Sequence, residues 1–278
     1  MDTAGERPSG RAPIDAAPSR PTQARRRLAL GTPLLTLAGF ALLIGAWHVA
    51  SVYLVRSVLF PPPLPVFRRA CEMLVEGDLL SEIAASLGRI LVGFLLGSLV
   101  GAALGLLVGS SRLMRVLLDP MLETLRFIPA VAMITVAVIW FGIGEESKVF
   151  IIFYATVFIV LITTAAGVAG ISKNKIRAAK TLGAGPVQTF AFVILPATVP
   201  MILTGMRVAM SNAFTAIVAA EMVSANNGIG SLIWKARLYM LIDDIFVALM
   251  VLAALGFLMD RLFRWAISTF AGRYSPQI

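Results

Sequence analysis

Apolar residues in this chain come in runs too long for the interior of a soluble domain, separated by short polar stretches. Runs of about 18 or more mostly apolar residues mark helices able to cross a bilayer. They predict six spans, at about 33–55, 87–109, 122–141, 149–170, 199–221 and 245–267. The fold class this implies is all-α, a polytopic membrane protein with six transmembrane helices. Two connecting stretches carry patterns of their own. After the first span, Pro61, Pro62, Pro63 and Pro65 stop a helix. Val66, Ala70, Met73 and Leu74 then recur at helical spacing among charges. This predicts an amphipathic helix over roughly 66–76, lying at the interface or serving as a packed connector. Between the fourth and fifth spans, NKIRAAKTLG (174–183) collects helix formers and closes on Gly183. Gly185-Pro186 marks a turn, and Val187 to Leu195 resumes an apolar run as far as Pro196 and Pro200. The loop 171–198 therefore predicts a short helix, an elbow and a second short helix.

Inside the spans, small and polar residues also fall at helical intervals. Gly93, Gly97, Gly101, Gly105 and Gly109 repeat every fourth residue through the second span. In lipid the hydrophobic effect does not drive helices together, so a small-residue face at this spacing predicts close helix–helix packing. Either a neighbouring helix of the same chain or a second copy fits that face. The fifth span carries Thr204, Arg207, Ser211, Asn212 and Thr215, with Glu221 at its end. Positions 204, 207, 211 and 215 share one helix face. Polar groups at membrane depth are costly, and they usually face a bundle interior or water. The face predicts a translocation pathway; the competing reading of Arg207 is a side chain reaching back to the headgroups.

Composition and charge then set the frame. The 278 residues are 58% hydrophobic and 14% charged, with mean hydropathy +0.87, outside the soluble range of about 45–50% apolar and 25% charged. The formal charge of +9 fits basic cytoplasmic loops better than a nucleic-acid surface. Of the 24 Lys and Arg, sixteen lie in or beside the segments that share a side with the N-terminus and seven on the other, with Arg207 in the fifth span. That bias predicts both termini and the 171–198 loop in the cytoplasm. Residues 1–27, rich in Pro, Ala, Ser and Arg and ending in Arg25-Arg26-Arg27, predict a disordered basic cytoplasmic tail. The transmembrane domain takes 28–278, and its first apolar stretch is too long for a signal-peptide core. Cys71 is the single cysteine and His48 the single histidine, so neither a disulfide nor a histidine-based metal or catalytic pair is expected. No phosphate-binding P-loop occurs. The chain predicts no enzyme, no metal and no cofactor of its own.

The loop also carries a resemblance. Ala178, Ala179, Gly183, Leu195 and Pro196, with Val193 in the Ile place, match the EAA loop of binding-protein-dependent ABC importer permeases: Glu-Ala-Ala, three residues, Gly, nine residues, Ile-x-Leu-Pro. Arg177 stands where that pattern has Glu. LFPPPLPV, SLGRILVGFLLG, LDPMLETLRFIPAVAMITVAVIWFGIGEESK and VAAEMVSANNGIGSLI resemble the taurine, aliphatic-sulfonate and nitrate branch of the same family. The resemblance implies a type I importer permease in the bacterial inner membrane that carries a small organic anion by ATP-driven alternating access. The implied partners are a second permease copy, a cytosolic ABC ATPase dimer and an extracytoplasmic substrate-binding protein. Arg177, Ala178, Ala179, Lys180, Gly183, Val193, Leu195 and Pro196 would couple to the ATPase. A thiamine-precursor pyrimidine is an alternative cargo, and an ATPase-independent transporter or channel an alternative class.

Overall fold

The computed structural model describes residues 23–270 apart from 56 and 225, with side chains from 35 to 269. The expected tail lies outside the described residues as far as residue 22; Gln23 already opens the first helix. The chain divides into two units, residues 1–56 and 57–278. The first holds α1 (Gln23–Val49), which widens into a π-helical turn over Ala50–Val55. Its segment Leu35–Val55 is long and apolar enough to cross a bilayer, and most of its side chains, His48 included, are exposed.

The second unit begins with α2 (Pro63–Glu76), whose first turn tolerates proline because its N–H groups have no helical partner. Val66 and Met73 are buried, and Arg69 Nε donates to Asp244 Oδ1 at 2.7 Å. The amphipathic segment is thus a packed connector. Gly77, at φ 86°, turns the chain directly into α3 (Asp78–Ser110).

The glycine repeat has its partner inside the same chain. A Cβ on Gly93 would sit 2.6 Å from Ile152 Cβ, on Gly97 2.8 Å from Thr156 Cβ, on Gly105 2.5 Å from the Leu161 carbonyl oxygen, and on Gly109 2.6 Å from Val168 Cβ. The contacted residues belong to α6 (Glu145–Ala169). Both series ascend together, so α3 and α6 run parallel. Their C-termini therefore lie at one end of the unit, and residues 111–144 must return the chain to the other. Twenty helical residues rise about 30 Å, the thickness of a hydrocarbon core.

That return differs from the sequence expectation. The span predicted at 122–141 is not one helix: α4 (Arg112–Leu125) ends in turns over 126–132, and α5 (Met133–Phe141) follows. Pro129 lies in the break; its ring and missing N–H oppose a continuous helix there, a local effect that average hydropathy does not register. Nine residues of α5 rise only about 14 Å. Among the described residues five helical segments are long and apolar enough to cross a bilayer, against six predicted. The broken segment supplies the remaining traverse in two pieces.

After α6 come α7 (Lys173–Thr181), the short α8 (Pro186–Thr189), a π-helical turn over Phe190–Ile194 and α9 (Leu195–Ser224). Gly167 of α6 meets Met201, and Gly205 of α9 meets Thr163, so α9 runs antiparallel to α6. Helix α10 (Ile229–Leu238) packs against α9 and α11 (Ile242–Phe270). Ile90, Phe94, Ile152, Val160, Ala213 and Ile217 form the core shared by α3, α6 and α9. One end of the unit, the α7 end, gathers the C-termini of α3 and α6. The opposite, α10 end gathers the start of α6 and the C-terminus of α9.

The seam predicts a sharp contrast within α3. Gly105→Val forces a branched side chain into the Leu161 backbone and should cost at least about 1–3 kcal/mol. Gly88→Ala, with nothing within 4 Å of its Cβ, should be neutral or slightly stabilising. Thermal unfolding of the detergent-solubilised variants checks both.

Candidate translocation and coupling site

At the α10 end, Arg89 of α3 gathers three elements. Its Nε and Nη2 donate to the two carboxylate oxygens of Glu145 at 2.5 and 2.8 Å, and Nη1 donates to Glu221 Oε1 at 2.6 Å. Nη1 and Nη2 also donate to the backbone oxygen and Oδ1 of Asn227, at 2.9 and 2.5 Å. The Arg89 side chain is 4% exposed and that of Glu221 not at all. Glu221 further accepts from Ser86 Oγ and the Gly230 amide, each at 2.9 Å, while Ser86 Oγ accepts from the Ile229 amide. The Gly228 amide donates to Glu82. Lys148 Nζ reaches Glu145 Oε1 at 2.9 Å. These bonds explain the local sequence Asn-Asn-Gly-Ile-Gly. Gly228 takes φ 111°, and a Cβ there would strike the Glu221 carboxylate; a Cβ on Gly230 would lie 2.5 Å from the Val218 carbonyl oxygen. The chain folds back over Glu221 so closely that only glycine fits at either position. Sequence pattern alone counts Arg89 as one more loop cation; its burial follows from the glycine seam beside it.

The polar face of α9 is divided by the structure. Thr204, Ser211, Asn212 and Thr215 are exposed along the helix. Thr204 and Thr215 donate to the carbonyls of Pro200 and Ser211, four residues back. Arg207 is half-buried: its Nε donates to Asp260 Oδ1 at 2.8 Å, and Arg264 Nη2 holds the other oxygen at 2.5 Å. Glu221 does not join this face. Asp260 is a functional candidate absent from the sequence reading, although an Asp and an Arg four residues apart near the end of the last span were a visible signal.

Among the described residues three cavities border α9, one of them apolar and lined by Ile134, Ala219, Met222 and Trp234; the other two carry polar groups. One, about 220 Å³, is lined by Arg207, Ser211, Phe214 and Asp260. The other, about 400 Å³, lies between α9, the middle of α6 and the α4–α5 break, with Arg126, Pro129, Tyr154, Phe158, Asn212 and Thr215 in its wall.

The loop 171–198 projects at the α7 end. Helix α7 closes with Gly183 at φ 81°; the Gly183 amide donates to the Lys180 carbonyl and the Ala184 amide to that of Ala179, both at 3.0 Å. This is the paired bonding of a glycine-terminated helix. Arg177, Ala178, Lys180, Gly183 and Leu195 are exposed, and Ala179, Val193 and Pro196 partly so. Leu182, Val187 and Phe192 are 88%, 79% and 79% exposed, an apolar surface beside the cations.

This geometry has known relatives. Residues 93–269 match the family described as the binding-protein-dependent transport system inner membrane component. A probable ABC transporter permease of Brucella melitensis is 39% identical over 84% of this chain and 94% of its own. The taurine transport system permease TauC of Escherichia coli K12 is 34% identical over 84% and 90%. The bicarbonate transport system permease CmpB of Synechococcus elongatus is 33% identical over 89% and 93%. The solved inward-facing methionine ABC transporter MetNI shares the fold, with TM-score 0.56 at 19% identity over 67% of this chain and 94% of that one. The chain belongs to the binding-protein-dependent ABC importer permeases, as a multi-pass membrane component.

The Arg89 cluster yields a stability prediction. Arg89→Ala leaves Glu221 as an unpaired buried charge and should cost about 3–5 kcal/mol. Arg89→Met with Glu221→Met removes both charges and should recover much of that loss, as read by denaturant unfolding in detergent.

Proposed function

We propose that this chain is the membrane-spanning subunit of an importer for a small organic anion, a sulfonate such as taurine or a related oxyanion. The observation that carries this reading is the stripe Thr204, Ser211, Asn212 and Thr215, left uncovered halfway along an otherwise apolar helix. Polar groups at that depth belong against water or protein rather than lipid. A second copy of the chain, related by two-fold symmetry, would close the stripe into a shared pathway, with Arg207 and its partner Asp260 at the edge. The taurine system of TauC and the bicarbonate system of CmpB support an anionic cargo and differ in which one.

Loop 171–198 is the coupling element, presenting Ala178 and Ala179 as a close-approach face with Arg177 and Lys180 beside it and Gly183, Val193, Leu195 and Pro196 fixing its elbow. Its partner is a cytosolic ABC ATPase dimer, and closure of that dimer on ATP drives the loop and switches the pathway between its two openings. A binding protein delivers cargo at the α10 end. Charge supports this orientation, with both termini in the cytoplasm of a bacterial cell. Arg112, Arg115 and the four cations of α7 gather at one end, whereas Arg89 and Lys148 at the other are held in ion pairs.

The experiment is affinity purification of the tagged chain from membranes, unmodified and as Gly183→Asp and Ala178→Arg. The second change adds bulk at an exposed position without backbone strain. The unmodified chain should bring down a P-loop ATPase, and each variant should lose most of it and of ATP-dependent uptake. Uptake by the purified chain alone, without any ATPase, would establish a stand-alone transporter instead.

A further inference from the structure

We propose that the cavity at the α4–α5 break is a transit site for the anionic group of the cargo, with Arg126 as its charged contact, Asn212 as its hydrogen-bonding one and Thr215 in its wall. The proposal rests on the importer reading and adds where along the path the anion is held. Depth is the first argument. The cavity meets α6 at Tyr154 and Phe158 and α9 at Asn212 and Thr215, near the middle of both helices. Irregular backbone at membrane depth persists only where it is buried in protein or lines a hydrated cavity. Here residues 126–132 do the latter, and Tyr154 Oη satisfies the Leu125 carbonyl at 2.7 Å.

Charge is the second argument. Most other cations of the spans have carboxylate partners: Arg89 has Glu145 and Glu221, Lys148 has Glu145, and Arg207 and Arg264 share Asp260, while Arg261, near the end of α11, lies 5.1 Å from the Phe257 ring centre. Among the described residues no carboxylate lies within ion-pair distance of Arg126, whose guanidinium sits 5.0 Å from the Phe127 ring centre. No described residue bonds the Asn212 side-chain amide either. A cation without a counter-ion and an open amide converge on about 400 Å³, within the range of small-molecule sites. A planar guanidinium suits an oxyanion, which it can grip with two parallel hydrogen bonds. Sulfonate, carboxylate and phosphate groups share that chemistry, so a lipid headgroup is the competing source.

The test uses the complete transporter in nanodiscs of neutral lipid, with Cys71→Ser and a single Thr215→Cys in the cavity wall. Modification rates by a sulfonate-bearing thiosulfonate reagent and by its neutral methyl counterpart are compared with Arg126 intact, as Arg126→Gln and as Arg126→Lys. The anionic-to-neutral rate ratio should fall about five- to tenfold in Arg126→Gln, the scale of losing one nearby unit charge, and largely persist in Arg126→Lys. Methanesulfonate should slow labelling only when residue 126 is cationic. A ratio unchanged by Arg126→Gln overturns the site, as does protection by phosphatidylglycerol with none by methanesulfonate. ATP-driven uptake is read separately on the transporter carrying Cys71→Ser alone, with Arg126 and Thr215 intact. Uptake without the ratio effect removes only this site; the ratio effect without ATP-driven uptake of any small anion supports the site and removes the importer reading.

Discussion

Five glycines spaced four apart let α3 and α6 lie against each other backbone to backbone, at a separation where a Cβ would collide with Ile152, Thr156, Val157, Leu161 or Val168. Because the contacts ascend along both helices, the pair is parallel, and parallel neighbours impose topology. The 34 residues from Ser111 to Gly144 must carry the chain back between ends. They do so as two short helices with a break between them rather than as one span. The break leaves backbone and Arg126 facing a cavity at mid-depth. The same seam brings Arg89 to the first turn of α6, where Glu145 receives it. Site, break and ion cluster thus follow from one packing decision made by residues without side chains.

Charge in the second unit is sorted by what it must hold or leave free. At the α10 end, Arg89 and Lys148 are consumed in bonds that tie α3, α6, α9 and the turn before α10 into one body. Buried pairs of this kind contribute little net stability compared with apolar packing, but they fix geometry, since either member left alone is strongly unfavourable. Arg207 and Asp260 join α9 and α11 by a half-exposed pair, which constrains them less strongly. The cations of α7 remain exposed instead, on a helix that touches little else of its own chain. Rigidity at one end and an accessible lever at the other suit a subunit whose opening is driven by a partner.

Much of this was legible in the residues themselves. The glycine spacing predicted a seam, Gly183 predicted the end of α7, and the EAA-like pattern pointed to the family that comparison with known proteins then established. What escaped was non-local. Hydropathy averages over a window, so 122–141 read as one span although Pro129 marks its break. Arg89 and Glu221 stand 132 positions apart, and no periodicity links residues that meet only across a packed seam. The Asp260–Arg264 spacing was visible in the last span, but the pairing of Asp260 with Arg207 on another helix was not. Whether the seam joined two helices of one chain or two chains could not be read from the glycines, because small residues specify closeness and not identity.

The parallel seam is the central claim, and sidedness tests it most directly. In a Cys71→Ser background, Ser110→Cys at the end of α3 and Ile143→Cys before α6 are labelled in intact cells and in inverted vesicles with a membrane-impermeant thiol reagent. The structure predicts opposite faces; with the 171–198 loop in the cytoplasm, as proposed, position 143 reacts in cells and position 110 in inverted vesicles. Reaction of both positions from the same face would mean that residues 111–142 do not recross, and the parallel arrangement of α3 and α6 would be wrong.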